Sequence, residues 1–280
     1  METRPFLLHA LSPLHVGTGQ SADIIDLPIA RQRATNIPYV PGSALKGVLR
    51  SAFEPGDEQY ALFGPETTNA DAHAGSIIVG DALLLALPVR SFKGTFVWAT
   101  SPLLLQLARH DLPELKVPAF PDQKRAVVSD RRRILYEEKK LFLADLDLPA
   151  TATTEVKDLG AKIDGWLGYG DWVQNRLAVV DDETMTFLLE TCTQLDTRVR
   201  ISNDTRTVAR GALWIEESLP AETLLWGLMA ADTVRKQETT LTPELALDRV
   251  FQVGQTLQVG GKATVGRGRC ALWPAVEGRA

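Results

Sequence analysis

Two short runs in the last third of the chain alternate with period two. TRVRIS begins at Thr197 and ALWIEES at Ala212. That period belongs to a β-strand with one face buried. The intervening NDTRTVARG is polar and basic, so the runs form an antiparallel hairpin with a protruding tip or an extended loop. Any fold for this chain must accommodate that ribbon.

The other segments narrow the choice. RPFLLHALSPLHVG, from Arg4, is an extended apolar run that reads as a strand. In YVPGSALKGVLRSAF, Pro41 and Gly42 break the preceding segment and Ser43 is the expected N-cap of a helix. Leu45, Val48, Leu49 and Phe53 share one face of it, while Lys46 and Arg50 share another. Ser43, Lys46 and Arg50 thus line the helix start, where backbone N–H groups and the macrodipole favour an anion.

GSIIVGDALLLALPVRSFKGTFVWATS reads as two strands and a turn, and SPLLLQLARHDL as a short helix. DRRRILYEEKKLFLADLDL alternates as a hairpin does. DWVQNRLAVVDDETMTFLLETCTQL reads as a strand and then a helix from near Asp182. AETLLWGLMAADTVR fits a buried strand or a helix, TPELALDRVFQVGQTL a helix, and QVGGKATVGRGRCALWPA two strands around a glycine-rich loop. The mixture lacks strict βαβ repetition, so the expected class is α+β. A length of 280 residues suits one large domain or two small ones sharing a core.

The net charge of −5 argues against indiscriminate nucleic-acid binding. Its distribution is uneven, however. Between Ile29 and Arg50 the charges are Arg31, Arg33, Lys46 and Arg50, with no acid; between Leu257 and Arg269 they are Lys262, Arg267 and Arg269, again with no acid. Such a basic track on an acidic protein fits a specific polyanion site. The two cysteines, Cys192 and Cys270, fit reduced thiols in a cytoplasmic protein, and the N-terminus has no signal-peptide layout. No apolar run reaches membrane-spanning length.

VGGKATVGRGR fails as a P-loop, since Thr256 stands at the leading glycine position and Ala263 replaces Ser or Thr. A dinucleotide fingerprint fails too. What remains is a loop of four glycines, Gly260, Gly261, Gly266 and Gly268, with three cations, able to bring backbone N–H groups close to phosphates. Near the N-terminus, LHVGTGQSADIIDLPIARQR holds two carboxylates, Asp23 and Asp26, which spacing alone leaves equivalent.

An ordered set of segments resembles the RAMP superfamily of CRISPR proteins and, more narrowly, the repeated backbone subunit of the type III-B Cmr effector complex. The set comprises SPLHVGTG, DLPIARQR, YVPGSALKGVLRS, LFGP, GSIIVGDA with PVRSFKG, GALWIEESLP and GGKATVGRGR. The resemblance is weak from about Leu112 to Asp182. It implies a ferredoxin-like, RRM-derived core in one domain over residues 1–280, with an insertion at roughly 112–182 and a β-hairpin thumb at roughly 197–217.

It further implies copies stacked head to tail along a guide CRISPR RNA, beside other Cmr subunits, an arrangement that does not close into a ring. By the same resemblance, complementary target RNA is expected to be cut at regular intervals, in antiviral defence, with the thumb displacing a base pair and a divalent metal, Mg²⁺ or Mn²⁺, required. In the position of the family's catalytic aspartate stands Asp26, which would also be the metal ligand; Asp23 does not match. His15 matches a family histidine, and Glu216 or Glu217 the acids after the thumb. The RNA-binding set comprises Arg31, Arg33, Ser43, Lys46 and Arg50, then Arg206 and Arg210 on the thumb, and Gly260, Gly261, Lys262, Gly266, Arg267 and Gly268.

Self-cleavage of RNA by its 2′-hydroxyl needs alignment, charge stabilisation and the handling of two protons. It does not need a large carboxylate cluster, and one Asp is enough to orient the hydroxyl, accept its proton or hold a hydrated Mg²⁺. Without the resemblance, Asp26 would be assigned to a turn cap or an ion pair with Arg31 or Arg33. Glu216 and Glu217 alternate, so at most one faces the site. Trp214 reads as core. Two further roles stay open: a non-catalytic RNA-binding scaffold, and a guide-precursor processing enzyme that would draw on His9, His15, His73 or His110. A metabolic enzyme with a nucleotide on the glycine loop is disfavoured by the failed motifs.

Overall fold

The computed structural model describes residues 1–19, 24–66, 73–120, 125–202, 204, 206–234 and 241–276, with backbone alone at 209–211. Asp23 and the Arg210 side chain therefore lie outside the described residues. In chain order the strands are β1 (Glu2–Ala10), β2 (Tyr39–Val40), β3 (Ile77–Val79), β4 (Ala82–Ser91), β5 (Thr95–Thr100), β6 (Ala126–Val128), β7 (Lys140–Leu143), β8 (Leu146–Ala152), β9 (Leu177–Val180), β10 (Gln194–Ile201), β11 (Val208–Ser218), β12 (Leu224–Ala231), β13 (Leu257–Gln258) and β14 (Arg269–Pro274). The helices are α1 (Gly42–Ser51), α2 (Asp57–Phe63), α3 (Pro102–Ala108), α4 (Arg131–Ile134), α5 (Thr154–Leu167), α6 (Asp182–Thr191) and α7 (Pro243–Val253).

One mixed sheet runs β13-β14-β1-β12-β4-β5-β9-β6-β8-β7, with β2 on β4 and β3 on β12. The neighbours β5–β9 and β6–β8 are parallel, and a single Ser91–Leu143 bridge returns β7 to β4. The apolar run that opens the chain becomes β1, paired with β12 on one side and β14 on the other. Both its faces are covered. Phe6 and Leu8 pack into one cluster with Leu45 and Leu49 of α1 and Leu247 and Val250 of α7. Leu7 packs into the other with Trp98, Leu105, Leu159, Ile163 and Trp166. A strand buried on both faces reads as a continuous hydrophobic run rather than an alternation.

Helix starts follow local chemistry. Ser101, Asp130, Thr153, Asp181 and Thr242 each accept a hydrogen bond from the backbone N–H three residues on. The first helix is different: Ser43 is not its cap. Pro41 occupies that position without a side-chain cap bond, because the helix already begins at Gly42. The Gly42 N–H donates instead to Asp81 Oδ1 at 2.7 Å, so a carboxylate of the chain sits where the sequence placed an external anion.

DRRRILYEEKKLFLADLDL divides into the short α4 and then the β7–β8 hairpin. AETLLWGLMAADTVR resolves as the strand β12. The period-two runs form β10 and β11, a separate two-stranded ribbon with a register shift between Val199 and Ile201. Gly227 on β12 has no room for a side chain, since a Cβ there would lie 2.5 Å from Phe6 Cζ and 2.6 Å from Asp81 O. Gly227→Ala should cost about 2 kcal/mol of stability, read as a lowered urea midpoint.

Candidate functional site

The outer edge of β11 gathers the candidate residues. One edge of this strand pairs with β10. Along the other, Leu14 and Leu219 exchange both backbone hydrogen bonds, the Leu27 N–H donates to Ile215 O, and the Glu217 N–H donates to Leu27 O. Two N-terminal segments are thereby stitched to one strand. Asp26 sits beside this ladder and its Oδ2 accepts the Ile215 N–H at 2.8 Å. His15 Nδ1 lies 2.6 Å from Glu217 O. Ile215 and Glu217 are two residues apart, on the order of 7 Å along a strand, so the carboxylate and the imidazole are anchored on the same edge of β11.

The His15 contact also sets its tautomer. A carbonyl oxygen only accepts, so Nδ1 carries a proton, and in the neutral ring the lone pair is on Nε2. Nε2 has no hydrogen-bond partner among the described residues. The ring is buried with two glycines close to it: a Cβ on Gly17 would approach Nε2 to 2.7 Å, and one on Gly261 would lie 3.6 Å from Cδ2. Asp26 is half-buried, and its Oδ1 makes no bond to any described residue.

Glu216 and Glu217 are both buried and point to opposite faces of the ribbon. Glu217 holds the loop: Oε2 accepts the Ile29 N–H at 3.1 Å and Oε1 accepts Arg31 at 2.6 Å. Arg31 continues to the carbonyl of Leu189 at the end of α6. Asp26 therefore pairs with neither Arg31 nor Arg33; Arg33 is exposed. Glu216 accepts Lys262 at 2.8 Å and Trp214 Nε1 at 2.8 Å, with Arg198 at 3.4 Å and Arg267 at 3.8 Å. Burial pushes its carboxyl up, but the bonds from Lys262 and Trp214 and the charges of Lys262 and Arg198 outweigh this and hold it down at about 2. Trp214 is half-buried beside these charges rather than in the core.

The other expected RNA contacts fall into two groups. Several are occupied within the chain. Lys46 donates to Ile77 O at 2.8 Å, with burial and then the Arg50 charge pushing its ammonium below the ordinary value. Arg50 donates to Pro65 O. Arg267 is buried, bonded to Ser218 Oγ and Asp196. The glycine loop is packed on its own backbone: the Gly261 N–H donates to His15 O, that of Gly266 to Ala263 O, and that of Gly268 to Pro13 O. Gly260 and Gly268 have positive φ, and a Cβ on them would lie 2.2 Å from His15 O and 2.0 Å from Val259 O. Ser43 and Arg206 are exposed, like Arg33. The sequence reading missed Asp196, Arg198 and Gly17; the alternation of TRVRIS, which sets Arg198 on the face of Trp214, was the available signal for one of them.

Among the described residues no three His, Cys, Asp or Glu side chains converge as a metal cluster, and no helix is long and apolar enough to cross a membrane. Among the described residues of this site, both glutamates are engaged by cations, and Asp26 Oδ1 is the carboxylate oxygen left without a bond. That fits a hydrated ion held at one point, the habit of Mg²⁺.

Residues 7–271 match the RAMP superfamily. The chain belongs to the RAMP superfamily. It is 34% identical to the CRISPR system Cmr endoribonuclease Cmr4 of Pyrococcus furiosus, over 93% of this chain and 92% of the relative. It is 25% identical to the CRISPR system CMR subunit Cmr4 of Saccharolobus solfataricus, over 95% and 94%. Among solved structures it resembles oligomeric Cmr4 from Pyrococcus furiosus, with a TM-score of 0.73 and 26% identity over 99% of this chain and 100% of that one. It shares the fold of a chain in the type III-B Cmr-beta complex bound to cognate target RNA, with a TM-score of 0.75 and 22% identity over 98% of each chain.

In this RAMP protein Glu216 is the anchor between ribbon and glycine loop. Glu216→Gln should lose about 2 kcal/mol at neutral pH, the scale of hydrogen bonds to charged groups. The folded value lies below the ordinary 4.5, so the Glu216 contribution is complete above about pH 5 and lost as pH falls towards 2. Urea titrations should show wild type and variant converging over that window.

Proposed function

We propose that the chain is the backbone subunit of a type III-B Cmr effector complex, bound to guide CRISPR RNA, and that it cuts complementary target RNA. The observation that carries this is the docking of His15 and Asp26 on one edge of β11, in a chain 34% identical to a relative named an endoribonuclease. A ferredoxin-like core over 1–280 with an insertion at 112–182, head-to-tail self-association beside other Cmr subunits, and a cytoplasmic setting belong to the same proposal.

Base pairing with the guide supplies the sequence choice, as in other RNA-guided systems. The β10–β11 ribbon acts as the thumb that displaces a target nucleotide and frees its backbone for in-line attack. Nε2 of His15, without a partner among the described residues, takes the proton of the 2′-hydroxyl when the ring is neutral or, when protonated, gives one to the leaving 5′-oxygen. Asp26 orients the hydroxyl, its position fixed by the Ile215 N–H. When bound at Asp26 Oδ1, Mg²⁺ or Mn²⁺ would supply positive charge beside the phosphate. Glu217 positions the loop through Ile29 and Arg31, and Glu216 positions Lys262. Arg33, Ser43, Arg206 and the Lys262 loop are the exposed or half-exposed members of the RNA-binding set, while Lys46, Arg50 and Arg267 support it from within.

In complexes reassembled with guide RNA and partner subunits, Asp26→Ala should slow periodic cutting of labelled target at least about a hundredfold with target binding intact. Normal cutting by that variant would leave only the scaffold role. Gly17→Ala adds a methyl where His15 Nε2 stands. It should slow cutting on the order of tenfold to a hundredfold by turning the ring, with unchanged assembly and circular dichroism.

A further inference from the structure

Away from β11, three aromatic side chains form a surface groove that the proposed cleavage does not use. Phe92 follows β4, Tyr136 precedes β7 and Phe142 lies on it. Their ring centroids are 5.8 Å (Phe92–Tyr136), 5.9 Å (Phe92–Phe142) and 5.8 Å (Tyr136–Phe142) apart, all edge-on. Arg90, Ser91 and Ala144 complete the lining. Phe92 is 75% exposed and Tyr136 41%. Leaving such rings in water has a cost that a partner would remove.

The groove is built rather than loose. Lys93 Nζ donates to Leu135 O at 2.8 Å, tying the β4–β5 turn to the segment carrying Tyr136. The Tyr136–Lys140 bridge closes a turn in which Glu137 and Glu138 have positive φ. The Ala144 N–H donates to Arg90 O. The segments that form it carry more cations than acids, although Arg131, Arg133 and Lys140 are paired with Glu138, Asp130 and Asp147. Arg90, Lys93, Arg131, Arg132, Arg133, Lys139 and Lys140 stand against Asp130, Glu137, Glu138, Asp145 and Asp147, in a chain of net charge −5. Arg90 is 79% exposed, and its 3.7 Å contact to the exposed Asp145 is a weak tie.

Helix α6 lies between the groove and the candidate site and has links to both. Arg90 and Asp145 act electrostatically on Cys192, the residue that ends α6. The carbonyl of Leu189 in the last turn of that helix accepts Arg31, which pairs with Glu217. Exposed aromatic faces with neighbouring cations are the chemistry that holds unpaired bases.

We infer that the Phe92–Tyr136–Phe142 groove is a stacking site for single-stranded RNA, taking unpaired bases of a strand that runs past the β11 edge. This rests on the RNA-cleaving reading for the strand's origin, and on the rings and charges alone for the chemistry. Arg90 is the phosphate contact, and stacking makes the site indifferent to sequence.

The test uses the full chain and a labelled oligouridine carrying 5-iodouridine. Ultraviolet crosslinks should map to peptides bearing Phe92, Tyr136 or Phe142. A Phe92→Ala/Tyr136→Ala variant should bind the oligomer about tenfold more weakly, within the range of base stacking on an aromatic ring. A Phe92→Leu/Tyr136→Leu variant keeps the apolar bulk without the rings and should show the same loss if the alanine protein misfolds. Crosslinks that avoid these peptides, or affinity unchanged in both variants, would overturn the inference. So would a loss of self-association at unchanged RNA affinity, which would make the groove a protein interface. Asp26→Ala separates the two readings: if that variant still cuts while crosslinks stay on the rings, the catalytic assignment falls and the groove stands.

Discussion

Strand β11 is paired along both edges, and the placement of the candidate site follows from that. A two-stranded ribbon alone is marginal in water. Here the second edge is taken by Leu14 and Leu27, from segments nearly two hundred residues earlier in the chain. Backbone pairing fixes register, and register fixes which side chains face each other. His15 and Asp26 follow or precede those paired residues by one position, so the ladder that closes the fold also sets their spacing. A slip of one residue would exchange the Ile215 N–H for a group pointing towards β10.

Charge has a parallel logic. A buried carboxylate without a partner is costly, and so is a buried guanidinium. Glu216, Asp196, Lys262, Arg198, Arg267, Ser218 and Trp214 pair with one another between the ribbon and the glycine loop, with Glu216 Oε2 held by the charges of Arg198 and Arg267 rather than by a hydrogen bond. Glu217 and Arg31 do the same on the opposite face. Much of the basic track is thus spent on holding the site together. The surplus available to an RNA backbone is smaller than the sequence count, which agrees with a chain that is acidic overall and binds through a defined surface.

What was legible in the sequence tracks how local the physics is. The ribbon was visible because its alternation lies within one segment, and α6 and α7 because their periodicity and starts are local. Within residues 112–182 the β7–β8 hairpin showed in its alternation, whereas β6 is three residues long and joins β8 in parallel, too short for a period of its own. Ser43 misled because a Ser at a helix start is usually a cap, whereas this helix already begins at Gly42, whose N–H is bonded by Asp81, thirty-nine residues further on. Burial of Glu216 and Glu217 was unreadable for the same reason: adjacent acids look solvated until their cations arrive from residues 31, 198, 262 and 267.

The glycine loop brings these threads together. As a phosphate cradle it needed free amides, yet those of Gly261, Gly266 and Gly268 are bonded within the chain. Its glycines are required for a different reason: Gly260 and Gly268 pass so close to other backbone that no side chain fits. That closeness seats Gly261 on the carbonyl of His15 and places Lys262 over Glu216. Conformational freedom is used here to pack one loop against another, and the imidazole is oriented from two directions, by Glu217 O at Nδ1 and by the glycines close to the ring. In the proposed cleavage a histidine so confined would enter the reaction already aligned, which is the part of catalysis a rigid strand edge is able to supply.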